Sequence, residues 1–238
     1  WATLTAHGSW QGEIVNRHKD GSTYTEWLRI SAVHDAAGQV SHYVGQFGYV
    51  AEQKRLVDRI SHLTQFDPLT GLPNRSLFID RMEQALIAAR RSQRCAAVIL
   101  VNLDRFRLIN DSLGQSVGDR VLIDMARRFA QQVRQGDTVA RLSGNEFCFL
   151  LSNLNAAEDA IQLAQRLQEC IAQPIEHAGH PLIVAASIGI SVSPRDGESG
   201  DALLKAADAA LIRAKLEGGN TFSFYSPSMD ADARRRQI

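Results

Sequence analysis

A short polar turn between two predicted strands is the part of the sequence whose residue types and spacing could serve chemistry most directly. The strands are Thr138 to Leu142 and Glu146 to Leu151, and Ser143-Gly144-Asn145 lies between them. Turn-forming residues between two runs of strand-forming residues predict a β-hairpin. The tip of a hairpin is a place where the backbone can approach a phosphate.

Two motifs resemble those of one known family. Residues 143–147, Ser-Gly-Asn-Glu-Phe, are similar to the Gly-Gly-Asp-Glu-Phe motif of the GGDEF domains of diguanylate cyclases. The run Asp67 to Arg75, DPLTGLPNR, matches the sequence with which such domains begin. Residues 67–226 therefore resemble a GGDEF domain. The resemblance implies an α+β fold, a five-stranded mixed sheet wrapped by helices and related to nucleotide cyclase and polymerase palm domains.

The resemblance also implies a magnesium-dependent reaction for which two charges are missing. A diguanylate cyclase joins two GTP molecules, and phosphoryl transfer of this kind uses divalent cations that carboxylates help to hold. The positions of the two family carboxylates fall at Asn102 and Asn145, which are neutral amides. Because about 1.4 kcal/mol of barrier changes a rate tenfold, we expect turnover to fall by on the order of a thousandfold or more.

Two acids remain near these positions. Glu146 matches the fourth motif residue and could still orient a hydroxyl group as a residual catalytic residue. Asp104, two residues after Asn102, is a candidate substitute metal ligand, although the family gives that position a different role. We expect no cofactor, and Mg²⁺ only if the domain is an active cyclase.

The nucleotide-binding positions of the family are partly kept. The resemblance assigns nucleotide contacts to five residues: Phe106, Arg107, Asn110, Asp119 and Lys215. Asn110 and Asp119 would read the guanine edge, although either residue type also caps turns and helix starts well. Gly219 stands where the family has a phosphate-binding arginine, and Gln115 where it often has histidine.

Arg134 and Asp137 form an Arg-x-x-Asp pair just before the hairpin. An arginine at a helix end and an aspartate after a glycine are ordinary residues of a helix end and a turn. At this offset, however, the pair resembles the inhibitory site at which many diguanylate cyclases bind cyclic di-GMP, with the arginine forking onto guanine.

Residues 1–50 precede the GGDEF-like part and have a different pattern. Three alternating strands between Gly12 and Val50, joined by tight turns, resemble the C-terminal half of a PAS sensor domain. Because the part that closes over a ligand is not included, we expect no sensor pocket. Residues 51–66 are predicted to form a linker helix, in which Leu56, Ile60 and Leu63 form either a dimer seam or a packing face.

The remaining elements follow from hydrophobic periodicity. We predict a helix capped by Asn74 or Ser76, a buried strand at Ala96 to Val101, and a helical piece at Arg105 to Ile109. A loop is predicted at Leu113 to Gly118. Later helices are predicted from there to Arg134, at Ala156 to Ala172 and at Asp201 to Leu216. Later strands are predicted at Leu182 to Val192 and at Thr221 to Tyr225. Residues 227–238 resemble the linker to a following EAL phosphodiesterase domain.

Composition narrows the choice of partners. The 26 basic residues equal the 26 acidic ones, so nothing favours a nucleic-acid polymer or a membrane surface. The longest apolar run, Cys95 to Val101, is far shorter than the roughly 20 residues that span a bilayer. Three scattered cysteines indicate neither a disulfide framework nor a zinc site, which fits the cytoplasm.

Three functions stay open from the sequence. The first is a degenerate GGDEF module that binds GTP or cyclic di-GMP and regulates a downstream EAL phosphodiesterase. The second is an active or weakly active diguanylate cyclase that uses Asp104. The third is a structural dimerisation module whose seam is Leu56, Ile60 and Leu63.

Overall fold

The computed structural model describes residues 1–49 and 64–229, which belong to two compact units, Trp1–Leu63 and Thr64–Ile238. In the first unit, the strands β1 (Ser9–Arg17), β2 (Thr23–His34) and β3 (Val40–Tyr49) form an antiparallel sheet in that order. This confirms the three predicted strands. The predicted helix at residues 51–66, with its proposed seam, falls almost wholly on residues outside the described ones.

A short helix, α1 (Ala2–His7), precedes this sheet and was not predicted. Leu4 on the helix is buried, and the helix ends at Gly8, whose φ of 72° is a conformation that favours glycine. Six residues are too few to show a helical repeat of apolar positions, which is why sequence periodicity does not reveal this helix.

The second unit is built on a five-stranded mixed sheet in the order β10-β9-β4-β6-β5, which confirms the predicted α+β fold. The strand β4 (Cys95–Leu103) is central and antiparallel to both β6 (Glu146–Leu154) and β9 (Ala186–Ser193). At the edges, β5 (Thr138–Ser143) is antiparallel to β6, whereas β10 (Phe222–Phe224) is parallel to β9. Its described helices are α2 (Arg75–Ser92), α3 (Phe106–Leu113), α4 (Gln115–Ala130), α5 (Asp159–Ala172) and α6 (Gly200–Leu216).

The core lies on both faces of β4 because alternate residues of a strand point to opposite faces. Ile99 and Val101 join one cluster, which includes Phe129 of α4. Val98 joins the other, which includes Phe78 of α2. A strand buried on both faces reads as a continuous apolar run, and this is the pattern that predicted β4. None of the described helices has the length and apolar character that a bilayer crossing requires.

Three predicted boundaries were wrong. The expected loop at Leu113 to Gly118 is helical except at Gly114, where α3 ends with a φ of 90° and α4 begins one residue later. The helix α4 stops at Ala130, before the turn at Gly136, and α5 starts only at Asp159, after a turn in which Asp159 accepts from the backbone of residue 155.

The predicted strand at Leu182 to Val192 is divided. Its first residues belong to a separate hairpin of β7 (Ile175–His177) and β8 (His180–Leu182), and the chain then joins the main sheet as β9. The turn of this hairpin places Ala178 and Gly179 at positive φ. Three-residue strands are too short for periodicity to separate them from the longer strand.

Candidate functional site

Arg141 holds the hairpin tip to the segment that opens the second unit. Its Nη1 lies 2.9 and 3.1 Å from the two carboxylate oxygens of Asp67, and its Nε and Nη2 donate to the carbonyl oxygen of Gly144 at 2.9 and 2.8 Å. Burial raises the pKa of the Asp67 carboxyl, but hydrogen bonds from Thr70 and Arg141 outweigh it, so the pKa is lowered overall. The tip is therefore fixed in place from outside the hairpin.

The two family metal positions meet beneath this tip. Asn102 lies near the end of β4, and Asn145 lies in the turn between β5 and β6. The Nδ2 of Asn145 donates to Asn102 Oδ1 at 3.1 Å and to the carbonyl oxygen of Leu103 at 2.6 Å. The two amides thus bond to each other and to the strand end.

Asp104 is occupied by hydrogen bonds within the protein. Its Oδ1 accepts from Ser187 Oγ at 2.8 Å, and its Oδ2 accepts from the backbone N–H of Asn220 at 2.9 Å. These bonds tie the end of β4 to β9 and to the loop after α6. Asp104 therefore already connects structural elements, which is a different role from that of a free metal ligand.

Glu146 lies opposite Asn102 in the pairing of β6 with β4. Burial is the largest influence on its carboxyl group and raises its pKa, and the neighbouring charge of Asp208 acts in the same direction. Lys215 and Arg75 partly offset these two effects. The arrangement places a half-buried acid close to a lysine, at the edge of the predicted nucleotide site.

The predicted base-reading residues lie where α3 and α4 pack together. A Cβ atom at Gly118 of α4 would lie 1.8 Å from Asn110 Oδ1 and 3.1 Å from Phe106 Cζ, so only glycine permits this approach. Asn110 Oδ1 is buried and has no hydrogen-bond partner among the described residues. Asp119 follows Gly118 in α4.

A pocket of about 580 Å³ extends from Asn102 to the loop after α6. Lys215 lines it, as do Asn102 and Gly219. Arg107, the other predicted phosphate contact, is strongly exposed in the first turn of α3 and lies 3.6 Å from Asp111. The structure thus brings Lys215 and Asn102, one of the two metal positions, to the same pocket.

Arg134 and Asp137 lie before β5 and form an ion pair with each other. Arg134 Nε lies 3.2 Å from Asp137 Oδ2, and Arg134 Nη2 donates to the carbonyl oxygen of Ser152. The backbone N–H of Ser152 donates to Asp137 Oδ1. Arg134 is largely exposed, so its guanidinium can turn to a ligand, whereas the Asp137 carboxylate is only 5% exposed.

The side chains at the two metal positions do not fit a magnesium ion. Mg²⁺ in such sites takes one or two carboxylates besides phosphate oxygens and water. Asn145 turns its NH₂ group, a donor, toward Asn102, and neither residue carries a negative charge. Among residues 1–49 and 64–229, no group of three or more His, Cys, Asp or Glu side chains is arranged for a metal.

Comparison with known proteins identifies the class of domain. Residues 64–221 match the family described as "Diguanylate cyclase, GGDEF domain". The chain is 42% identical over 174 residues to MucR of Pseudomonas aeruginosa, a bifunctional diguanylate cyclase/cyclic di-GMP phosphodiesterase. This alignment covers 73% of the chain and 25% of MucR. The chain belongs to the GGDEF family of cyclic di-GMP signalling domains.

Two further relatives support the assignment. NbdA of Pseudomonas aeruginosa, a cyclic di-GMP phosphodiesterase, is 39% identical over 167 residues, which cover 70% of the chain and 21% of NbdA. The solved GGDEF domain of TpbB from the same organism superposes with a TM-score of 0.69 at 35% identity, covering 71% of the chain and 99% of that domain. The chain thus spans about a quarter or less of MucR and NbdA.

Sequence reasoning missed three residues that shape the site. Arg141 was not singled out, although an arginine on an otherwise apolar strand must find a partner when the strand is covered. Gly118 was predicted to lie in a loop, and its role in a close helix contact depends on packing. Arg105, which lines the pocket beside Lys215, carries no motif signal at all.

Proposed function

We propose that this domain is a degenerate GGDEF module that binds GTP or cyclic di-GMP without making cyclic di-GMP. The observation that carries the proposal is the hydrogen bond between Asn102 and Asn145, which joins two neutral amides where a cyclase needs carboxylates. Retained Asn110, Asp119 and Lys215 support nucleotide binding. The residues for nucleotide binding are thus kept more fully than the residues for catalysis.

The same proposal extends to the longer protein. Residues 1–50 would be the C-terminal half of a PAS domain, and residues 227–238 would lead to an EAL phosphodiesterase that the GGDEF module regulates in the cytoplasm. Support comes from MucR and NbdA, whose names include phosphodiesterase activity. A dimer through Leu56, Ile60 and Leu63 remains a separate proposal, and these residues lie outside the described ones.

The alternative of an active cyclase depends on Asp104. The hydrogen bonds from Ser187 and Asn220 oppose that role, because a metal ion would have to compete with both donors for the same carboxylate. The retained Glu146 is the observation that keeps the alternative open. Cyclic di-GMP formation from GTP with Mg²⁺ or Mn²⁺, abolished by Glu146→Ala, would favour it.

Calorimetric titration of the purified chain with GTP and with cyclic di-GMP tests the proposal. We expect binding of at least one nucleotide and no detectable turnover. Arg134→Ala should weaken the binding of cyclic di-GMP by on the order of tenfold, because charge-assisted hydrogen bonds to guanine are lost. Arg127→Ala is the matched control, since Arg127 also pairs with an acid three residues away, Asp124 at 3.1 Å. Absence of heat with both nucleotides would contradict the proposal.

A further inference from the structure

The pocket beside the metal positions has an unusual balance of charge. Its charged lining residues are Asp104, Arg105 and Lys215. The Asp104 carboxylate already accepts hydrogen bonds from Ser187 and Asn220 on its two oxygens. The side chains of Arg105 and Lys215 make no hydrogen bond or ion pair with any residue in the described part of the chain. Two cations without a hydrogen bond or ion pair among the described residues therefore border a pocket whose one acid is engaged, and the charge of Lys215 also acts on Glu146 nearby.

The neutral amides change what such a pocket can bind. In a site with two metal carboxylates, the approaching phosphates need a cation to offset repulsion between like charges. Asn102 and Asn145 cause no such repulsion, so the positive charge of the protein itself can act on the phosphates directly. Gly219 also supplies no side chain there, which leaves Arg105 and Lys215 as the cations in the lining of this pocket.

The backbone of Arg105 is held in a conformation that suits this role. Its φ of 52° and ψ of 24° are left-handed, which is uncommon for arginine and costs free energy, so the conformation persists only because the surrounding fold holds it. Arg105 precedes α3, and its carbonyl oxygen accepts from the N–H of Leu108. The start of α3 thus sets Arg105 at the mouth of the pocket, where a guanidinium can bind phosphate oxygens in a bidentate manner.

We propose that this pocket binds the phosphates of a guanine nucleotide without a divalent cation, and that Arg105 provides the positive charge that a metal ion provides in a cyclase. The inference rests on the proposed function, because it takes a nucleotide as the ligand. It adds that binding is independent of magnesium and that affinity depends on the number of phosphates.

The test is calorimetric titration of the full chain with GTP and with GMP, each in excess EDTA and in Mg²⁺. Wild-type affinity for GTP should be the same within about twofold in both buffers. Arg105→Gln should weaken the binding of GTP by on the order of tenfold. The binding of GMP should weaken much less, because the contacts that the variant loses are those to the additional phosphates of GTP. Arg105→Lys should restore part of the affinity, and Arg91→Gln, an exposed arginine of α2, should change nothing.

Each remaining result overturns the inference in a recognisable way. Loss of GTP binding in EDTA, or equal affinities of wild type and Arg105→Gln, would refute it and leave the proposed function standing. So would binding of cyclic di-GMP alone. Equal weakening of GTP and GMP in Arg105→Gln would show a structural role for Arg105. Failure to bind any nucleotide would refute both the inference and the proposed function.

Discussion

The two ends of the candidate site differ in how their polar atoms are satisfied. At the metal end, Asn102 and Asn145 bond to each other and to the strand end. At the base end, Asn110 Oδ1 is buried against Gly118 and has no partner among the described residues. One end is closed by internal bonds, whereas the other keeps a buried acceptor that is unpaired among the described residues, at the position predicted to read guanine. The neutral pair at the metal end therefore does not by itself decide what the base end can bind.

The largest expected effect comes from restoring charge to the metal end. Asn102→Asp combined with Asn145→Asp should raise cyclic di-GMP formation by on the order of a hundredfold or more, because two carboxylates can then hold Mg²⁺ against the triphosphate. Product formation from GTP measures it. Asn153→Asp with Asn155→Asp adds the same charge elsewhere and should have no effect. If the double variant makes no cyclic di-GMP, the missing charge at the metal end does not explain the absence of turnover.

The next effect concerns the bond that holds the hairpin tip. Asp67→Asn should lower the free energy of unfolding by about 2–3 kcal/mol at neutral pH, because Arg141 loses its charged partner. The lowered pKa of Asp67 means that its stabilisation is present above the unfolded pKa and is lost as pH falls through the folded pKa. The difference between variant and wild type should therefore shrink in acid, as urea denaturation at several pH values would show.

A smaller effect is expected at the base end. Gly118→Ala places a Cβ atom where Asn110 Oδ1 lies, so it should cost about 1–2 kcal/mol of stability through overpacking and weaken guanine nucleotide binding. Thermal denaturation and titration measure the two effects. Gly48→Ala is the control, because a Cβ there has open space within 4 Å. Unchanged nucleotide affinity in Gly118→Ala would show that Asn110 does not contribute to binding of the base.

The smallest effect is that of Glu146→Gln. A raised pKa means that the stability linked to the Glu146 carboxyl is present below its unfolded pKa and is lost as pH rises through its folded pKa. The amide should therefore be slightly more stable than wild type at neutral pH, by less than about 1 kcal/mol because solvent screens this partly exposed group. Thermal midpoints from acid to neutral pH should show the advantage disappearing in acid.

Much of the fold was predictable because its signals are local. The apolar run of β4, the Ser-Gly-Asn turn and the helical periodicity of α2 and α6 each follow from consecutive residues. The positions of Asn102 and Asn145 followed from motif spacing. Their mutual hydrogen bond did not, because it depends on how a strand end and a turn 43 residues apart are brought together.

Long-range contacts account for what sequence reasoning left out. Arg141 and Asp67 are separated by 74 positions, and neither residue alone indicates the other. Gly118 looked like a loop residue because glycine usually interrupts helices, yet here it permits two helices to touch. Division of the expected Leu182 strand likewise depended on which sheet each half could join.

The hydrogen bonds of Arg141 to Asp67 and to Gly144 couple the first residues of the domain to the tip of its hairpin. A displacement of Asp67 by the chain that enters the domain would be transmitted through one guanidinium to the Gly144 carbonyl, next to Asn145. Movement of the segment that opens the second unit would thus reach the turn beside Asn145 through the Arg141 side chain and through the backbone N–H of Arg141, which donates to the Pro73 carbonyl oxygen.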